Sequence, residues 1–142
     1  MPLMYHPQPG EILLCNYDTG FLAPEMTKRR PIVVVSPRLR RRDNLLTVVP
    51  LSTTEPQPLE AHQCEIILTQ PLPAPFNEPR MWAKCDMIAT VAHQRLDRFR
   101  AGRRQGAVGR TYVSGRVDSA QLIAIRKAIL CGIGLASLTV HL

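Results

Sequence analysis

The chain has 142 residues, 45% of them hydrophobic, with 18 Lys and Arg against 11 Asp and Glu and a formal net charge of +7 at pH 7. That length suits one domain over residues 1–142, and the composition excludes wholesale disorder, while the lack of any apolar run of spanning length excludes a transmembrane helix. Every cation except Lys28, Lys84 and Lys127 is an arginine, whose planar fork of donors matches phosphate, so a polyanionic partner is expected, nucleic acid first, ahead of a protein that is merely basic.

The opening MPLMYHPQPG lacks a charged region followed by an apolar core, so it is not read as a signal peptide, and a cytoplasmic protein is expected. Pro9-Gly10 marks a turn and opens a first strand over residues 11–17. A polar loop then runs from Asp18 to Arg30. Pro31 can stand at the first residue of a strand, and Ile32-Val33-Val34-Val35 forms the second, a continuous run that predicts burial on both faces. Residues 38–44 are a basic connection, and residues 45–51 the third strand, with Ser52, Thr53 and Thr54 at its exit. Many of the 13 prolines fall between residues 50 and 80, which predicts loops there. Residues 64–69 read as a fourth strand. Residues 81–84 and 87–91 read as a fifth, bent near Cys85-Asp86, and Arg95-Leu96 begins a sixth short piece. Residues 98–116 are rich in Arg and Gly, a long basic loop or ragged hairpin with Thr111-Tyr112-Val113 as its extended part and no assignable role.

The chain closes with one helix. Asp118 and Gln121 have capping-box spacing, Leu122, Ile125, Ile129 and Ile133 recur at helical period with Ile123 and Leu130 beside them, and Gly132 and Gly134 mark the end. That stripe reads as core or subunit packing. Cys15, Cys64, Cys85 and Cys131 show neither CxxC nor zinc-finger spacing, so they read as small thiols of a reducing compartment and no metal site is expected. His62-Gln63-Cys64 is too short a signal for a thiol catalyst. Several short strands, basic loops and a terminal helix predict a mainly β (α+β) fold, a small and strongly bent barrel.

Three polar clusters could carry chemistry. Lys28, Arg29 and Arg30 stand at the start of the second strand, Ser52, Thr53 and Thr54 at the exit of the third, and Lys84, Asp86 and Arg95 around the fifth. A short connection makes strands two and three antiparallel neighbours, so Arg30 and Ser52 are expected at the same end of the sheet. An arginine beside a hydroxyl on a basic sheet makes a phosphate site. If the bond attacked is in RNA, the substrate's own 2′-OH is a nucleophile, and neither metal nor enzyme nucleophile is needed.

These residues bring the chain close to a known family. Pro9-Gly10-Glu11-Ile12 is followed by Glu25-x-x-Lys28-x-Arg30-Pro31-x-Val33-Val34-Val35-Ser36, and then by Val48-Val49-Pro50-Leu51-Ser52-Thr53. Cys85-Asp86-Met87-Ile88-Ala89-Thr90-Val91, Arg95-Leu96 and the terminal helix complete the pattern. In order and spacing, over most of the chain, this resembles the MazF/PemK (Kid) toxins of bacterial toxin–antitoxin systems. The resemblance implies an SH3-like barrel and a sequence-specific, ribosome-independent endoribonuclease without cofactor, acting on single-stranded RNA. Arg30 matches the family's arginine before proline, which acts on the scissile phosphate. Ser52 matches a position usually held by threonine, and Thr53 could share its role. Lys84-x-Asp86 matches the basic residue and aspartate of the PemK/Kid branch, with lysine for arginine. That branch also uses a histidine in the first loop, which this chain lacks, and Lys28 takes its place.

The resulting mechanism has Asp86 as base, Lys84 or Arg30 toward the leaving 5′-oxygen, and Arg30 with Ser52 on the phosphate. Lys28, Arg29, Thr53 and Arg95 bind substrate, and the products are a 2′,3′-cyclic phosphate and a 5′-hydroxyl. The plainer alternatives are an Asp86–Arg95 ion pair and, for Arg30, a solvated strand flank. Trp82 and Tyr17 could stack on bases, although Trp82 sits in a strand-like run that suits the core. The resemblance further implies a homodimer and an antitoxin whose acidic tail covers the basic groove, with the loop from Asp18 to Arg30 as a lid and operator DNA bound through the complex. The competing classes are a non-catalytic toxin, like the topoisomerase-poisoning CcdB relatives, and a nucleic-acid-binding module that has lost its activity.

Overall fold

The computed structural model describes residues 3–102 and 111–142. Gly10, at φ +94°, takes a left-handed turn that a side chain would resist. Its N–H reaches the Val34 carbonyl (2.7 Å) and its carbonyl accepts from Val117 (2.9 Å), so one glycine ties the start of the sheet to the lead-in of the helix. From there β1 (Glu11–Asn16) pairs antiparallel with β2 (Arg29–Val34), running from Ile12↔Val33 to Asn16↔Arg29. β2 pairs in turn with β3 (Leu45–Ser52), Ile32 opposite Pro50 and Val34 opposite Val48.

The far edge of β3 is shared by two strands. β6 (Ala89–Ala92) runs along Leu45 to Val48, and β5 (Arg80–Lys84) meets only Leu51 and Ser52. Pro50 falls in the gap between them, where its missing N–H breaks no ladder bond on that edge. A 3-10 turn, Cys85–Met87, carries the chain across the gap, which is the bend expected near Cys85-Asp86. β4 (Gln63–Ile67) lies on β5, and β7 (Leu96–Asp97) and β10 (Gly115–Arg116) both lie on β1. β8 (Phe99–Ala101) and β9 (Thr111–Val113) form a separate two-stranded sheet. The ragged hairpin expected over 98–116 is thus present in its flanks, and its residues 103–110 lie outside the described residues.

The mainly β architecture with a C-terminal helix agrees with the sequence reading, but the eight-stranded sheet is not closed into a barrel. Its path ends at β10 and β4. The link from β6 on β3 to β7 on β1 is a 3-10 turn, His93–Arg95, with no strand pairing across it.

Alternation sends β2 and β3 into two cores. Ile32, Val34, Leu46 and Val48 pack with Leu13, Cys15 and Tyr17 on one face. Val33, Val49 and Leu51 pack with Ile12, Ile66 and Met81 on the other, under Ile125 and Ala128 of α1 (Ser119–Gly132). Burial on both faces is why residues 32–35 read as an unbroken apolar run. The capping box is complete: Gln121 N–H donates to Asp118 Oδ1 (2.7 Å) and Asp118 N–H to Gln121 Oε1 (3.0 Å). Of the expected stripe, Ile125 is buried and Leu122 and Ile129 pack at its margin, while Ile123 and Ile133 are exposed.

Gly115 marks where β10 presses on the core: a Cβ there would lie 2.8 Å from Leu72 Cδ2 and 3.2 Å from Ile12 Cβ, whereas Gly102 has open space. Gly115→Ala is therefore expected to lower stability by about 1–3 kcal/mol in urea unfolding, against less than about 0.5 kcal/mol for Gly102→Ala. Equal effects at the two sites would show that the β10 contact yields freely.

Candidate active site

The strand registers decide which polar side chains can meet. Carrying the β2–β3 register on by two residues sets Arg30 opposite Ser52. Ser52 is opposite Trp82, Trp82 opposite Glu65, and Arg30 opposite Cys15. One row thus crosses five strands, and its members share a face. Lys84 stands one step along β5 on that same face. Arg29 and Thr53 alternate to the opposite face. There they line a cleft of about 270 Å³ with Phe76 and Met81, and Lys28 and Arg30 border it. The expected juxtaposition of the second-strand cations with the third-strand hydroxyls is present, divided between the two faces of one sheet end.

Arg30 is half-buried, and its Nε donates to the Thr27 carbonyl at 3.0 Å. That single bond orients the guanidinium and leaves its two terminal nitrogens to bind an anion. Beside it the Tyr17 hydroxyl is sealed in the core, so burial drives its pKa far up while the Arg30 charge pulls it down. Burial likewise raises Cys15 to about 11. Ser52 is only 6% exposed and its Oγ accepts from the Thr54 N–H at 3.1 Å, a short turn that keeps its own O–H available as a donor. Tyr17 at 1% and Trp82 at 5% exposure offer no ring face to a base. Arg80 stacks on Trp82 at 5.2 Å and grips Glu65, holding its carboxyl below the usual range.

Lys28 has φ +70°, a left-handed backbone costing roughly 1 kcal/mol for a residue with a Cβ. Its carbonyl accepts from Tyr17 N–H (3.0 Å), which closes the loop between β1 and β2. Arg95 fastens that loop from beneath: Nη1 donates to the carbonyls of Asn16 (3.0 Å) and Thr19 (2.7 Å), and the guanidinium lies 5.0 Å over the Phe21 ring. The structure therefore does not bring Arg95 to Asp86, and its guanidinium supports the loop. The segment expected as a lid is pinned at its root, with Met26 buried and Phe21 edge-on to Tyr17.

Asp86 lies in the 3-10 turn after β5, beyond the Arg30–Ser52 row along the chain. Its Oδ2 is 3.8 Å from His62 Nε2, and both side chains are partly exposed (47% and 33%). The end of α1 closes over them: a Cβ on Gly132 would lie 3.2 Å from Asp86 Cα and 3.4 Å from His62 Cβ. His62 is the residue that sequence reasoning passed over. Its partner is set by the β4–β5 register, Gln63↔Lys84, which nothing in the proline-rich stretch between those strands announces. Phe76 likewise falls in the stretch where the prolines predict only loops. Among the described residues no three His, Cys, Asp or Glu side chains converge as a metal site requires, and no helix is long and apolar enough to cross a membrane.

Residues 8–130 match the model of the PemK-like, MazF-like toxins of type II toxin–antitoxin systems. The uncharacterized protein YifN of Escherichia coli (strain K12) is 31% identical over 121 residues, which cover 72% of this chain and 80% of that one. An endoribonuclease from a mycobacterial species shares the fold at TM-score 0.62 and 20% identity, over 94% of this chain and 96% of the other. A MazE-MazF structure from Deinococcus radiodurans shares it at TM-score 0.56 and 18% identity, over 92% and 98%.

Two outcomes follow from the geometry. Arg95→Ala should speed proteolysis within residues 17–28 roughly tenfold, the effect of losing about 1.4 kcal/mol of local stability, while the rest of the chain resists as before. An unchanged cleavage rate would show that the loop is held by other contacts. Separately, the neighbouring Cys85 thiol lowers the Cys64 pKa, while the Cys64 neighbour and burial raise Cys85, whose own S–H donates to the Ala83 carbonyl at 3.8 Å. Cys64 should thus be alkylated before Cys85 and the buried Cys15 at pH 8, as read by peptide mass spectrometry; earlier labelling of Cys85 would reverse the assignment.

Proposed function

We propose that this chain, which belongs to the PemK-like, MazF-like toxin family of type II toxin–antitoxin systems, is a metal-independent endoribonuclease that cuts single-stranded RNA. The observation that carries the reading is the shared face of the sheet end, where Arg30, Ser52 and Lys84 lie in register with the Asp86–His62 pair just beyond.

The spacing divides the work. Lys84, Asp86 and His62 address the reacting phosphate, and Arg30 with Ser52 holds the phosphate of the adjoining nucleotide. Free carboxylates titrate near pH 4, which makes a lone aspartate a weak base at neutrality, whereas the ordinary range of imidazole includes neutral pH. The Asp86–His62 pair accordingly takes the proton of the 2′-OH. The 2′-oxygen bonds to phosphorus as the P–O5′ bond breaks, and Lys84 donates a proton to the departing 5′-oxygen. The products are a 2′,3′-cyclic phosphate and a 5′-hydroxyl. Membership of the family supports an antitoxin partner whose acidic tail covers the basic cleft. A homodimer, and operator DNA bound through the complex, belong to the same proposal.

A second reading is a toxin or nucleic-acid-binding module that binds without cutting. The burial of Ser52 and the lysine at position 84, which lacks the bidentate fork of arginine, favour it.

The test is incubation of the purified protein with a long single-stranded RNA in excess chelator. Discrete fragments ending in cyclic phosphate are expected. His62→Gln and Asp86→Asn should each slow cleavage at least about 100-fold. Arg30→Ala should act mainly through KM. Full activity in His62→Gln would remove the pair from the chemistry, and intact RNA with the wild-type protein would select the binding reading.

A further inference from the structure

Arg100 of β8 and Arg98 just ahead of it remain without a role in that reaction, yet they continue the same surface. The cleft at Arg29 and Thr53 shares Arg29, Pro75 and Phe76 with a second, of about 420 Å³, which adds Arg98 and Arg100. The second shares Pro73, Ala74 and Arg100 with a third, of about 960 Å³, which ends at Arg116. The three form one track leading away from the Lys28–Arg30 corner, with a wall from the proline-rich loop at residues 73–76. The acidic side chain along the second cleft is Asp97, set among Arg29, Arg98 and Arg100.

Two of the track's side chains are braced for contact. The Phe76 ring is held edge-on by the buried Phe99, at 5.9 Å between centroids, and is itself half-buried. Arg98 rests on the Tyr112 ring at 5.7 Å. Ordering these groups before a ligand arrives lowers the entropy lost on binding. Arginines spaced along a groove with one accessible ring form the pattern that follows an unpaired strand, with phosphates on the guanidinium groups and a base on the ring.

We infer that this track binds the single-stranded RNA that flanks the cleaved bond, with backbone phosphates on Arg29, Arg98 and Arg100 and one base stacked on Phe76. The inference rests on the nuclease reading and extends it from the reacting step to the length of RNA recognised. The acidic tail of a protein is the competing occupant.

The full chain would be titrated with 2′-O-methyl oligonucleotides of 4 and 12 nucleotides, which cannot be cleaved, at several salt concentrations. The 12-mer is expected to bind more tightly than the 4-mer. Arg100→Ala, at an exposed position, should weaken the 12-mer about fivefold and flatten its log–log salt slope by about 0.7, leaving the 4-mer unchanged. Phe76→Ala should weaken the 12-mer as well, and Phe76→Tyr should restore it. Equal losses for both lengths, no loss in Arg100→Ala, or saturating displacement by polyglutamate with no length dependence for RNA would overturn the inference. A parallel cleavage assay on long RNA separates the two claims. Length-dependent binding without any cleavage leaves the track and removes the chemistry, and cleavage with length-independent binding does the reverse.

Discussion

Burial of β2 on both faces is the constraint from which the rest of the structure follows. Ile32 and Val34 enter one core and Val33 the other, so the strand can neither slide nor rotate without exposing one set to water. A one-residue slip would exchange the two sets. The cations ahead of it inherit that fixity. Arg29 and Arg30 are the first two residues of the strand and are sent to opposite faces by the same alternation that sorts the valines. A charge run against an apolar run therefore makes physical sense: the buried end is an anchor, and the exposed end holds guanidinium groups at fixed positions.

That anchoring also explains which parts could be read before any coordinates. The apolar runs, the turn at Pro9-Gly10 and the Asp118–Gln121 capping box are local features, and each element they predict is present. The pairing of Arg30 with the exit of β3 was legible too, because a short connection forces adjacent antiparallel strands. Strand closure was not legible. Whether β6 and β7 complete a barrel depends on a 3-10 turn at His93–Arg95, and sequence period says nothing about such a turn. Nor was the company of Asp86 legible. An aspartate near an arginine in sequence suggests an ion pair, but Arg95 is committed to loop carbonyls and His62 arrives from the turn just ahead of β4. Phe76 escaped because prolines on either side made its neighbourhood look like linker, whereas Phe99 fixes its ring.

The polar groups of the sheet end fall into two sets with different physical character. Arg30 and Ser52 are half-buried or buried and each is oriented by a local backbone contact, the condition under which charge stabilisation is pre-organised. Asp86 and His62 are more open to solvent and lie under the end of the helix, where Gly132 allows close approach. The first set is held rigid by its local contacts, and the second is open to solvent. Arg95, though cationic, belongs to neither, since its role is to hold the loop from which Lys28 projects.

Lys28 shows what this arrangement demands of the sequence. Its backbone sits in the left-handed region, where glycine and asparagine are at ease and branched residues are not. Its position beside Arg29 at the cleft asks for a cation. The two demands have no common best residue: glycine would relax the turn and discard the charge, while lysine keeps the charge at the expense of a strained φ. A branched side chain at position 28 would thus add strain. Any lineage that moved the cation elsewhere in the cleft would be free to let position 28 drift toward glycine.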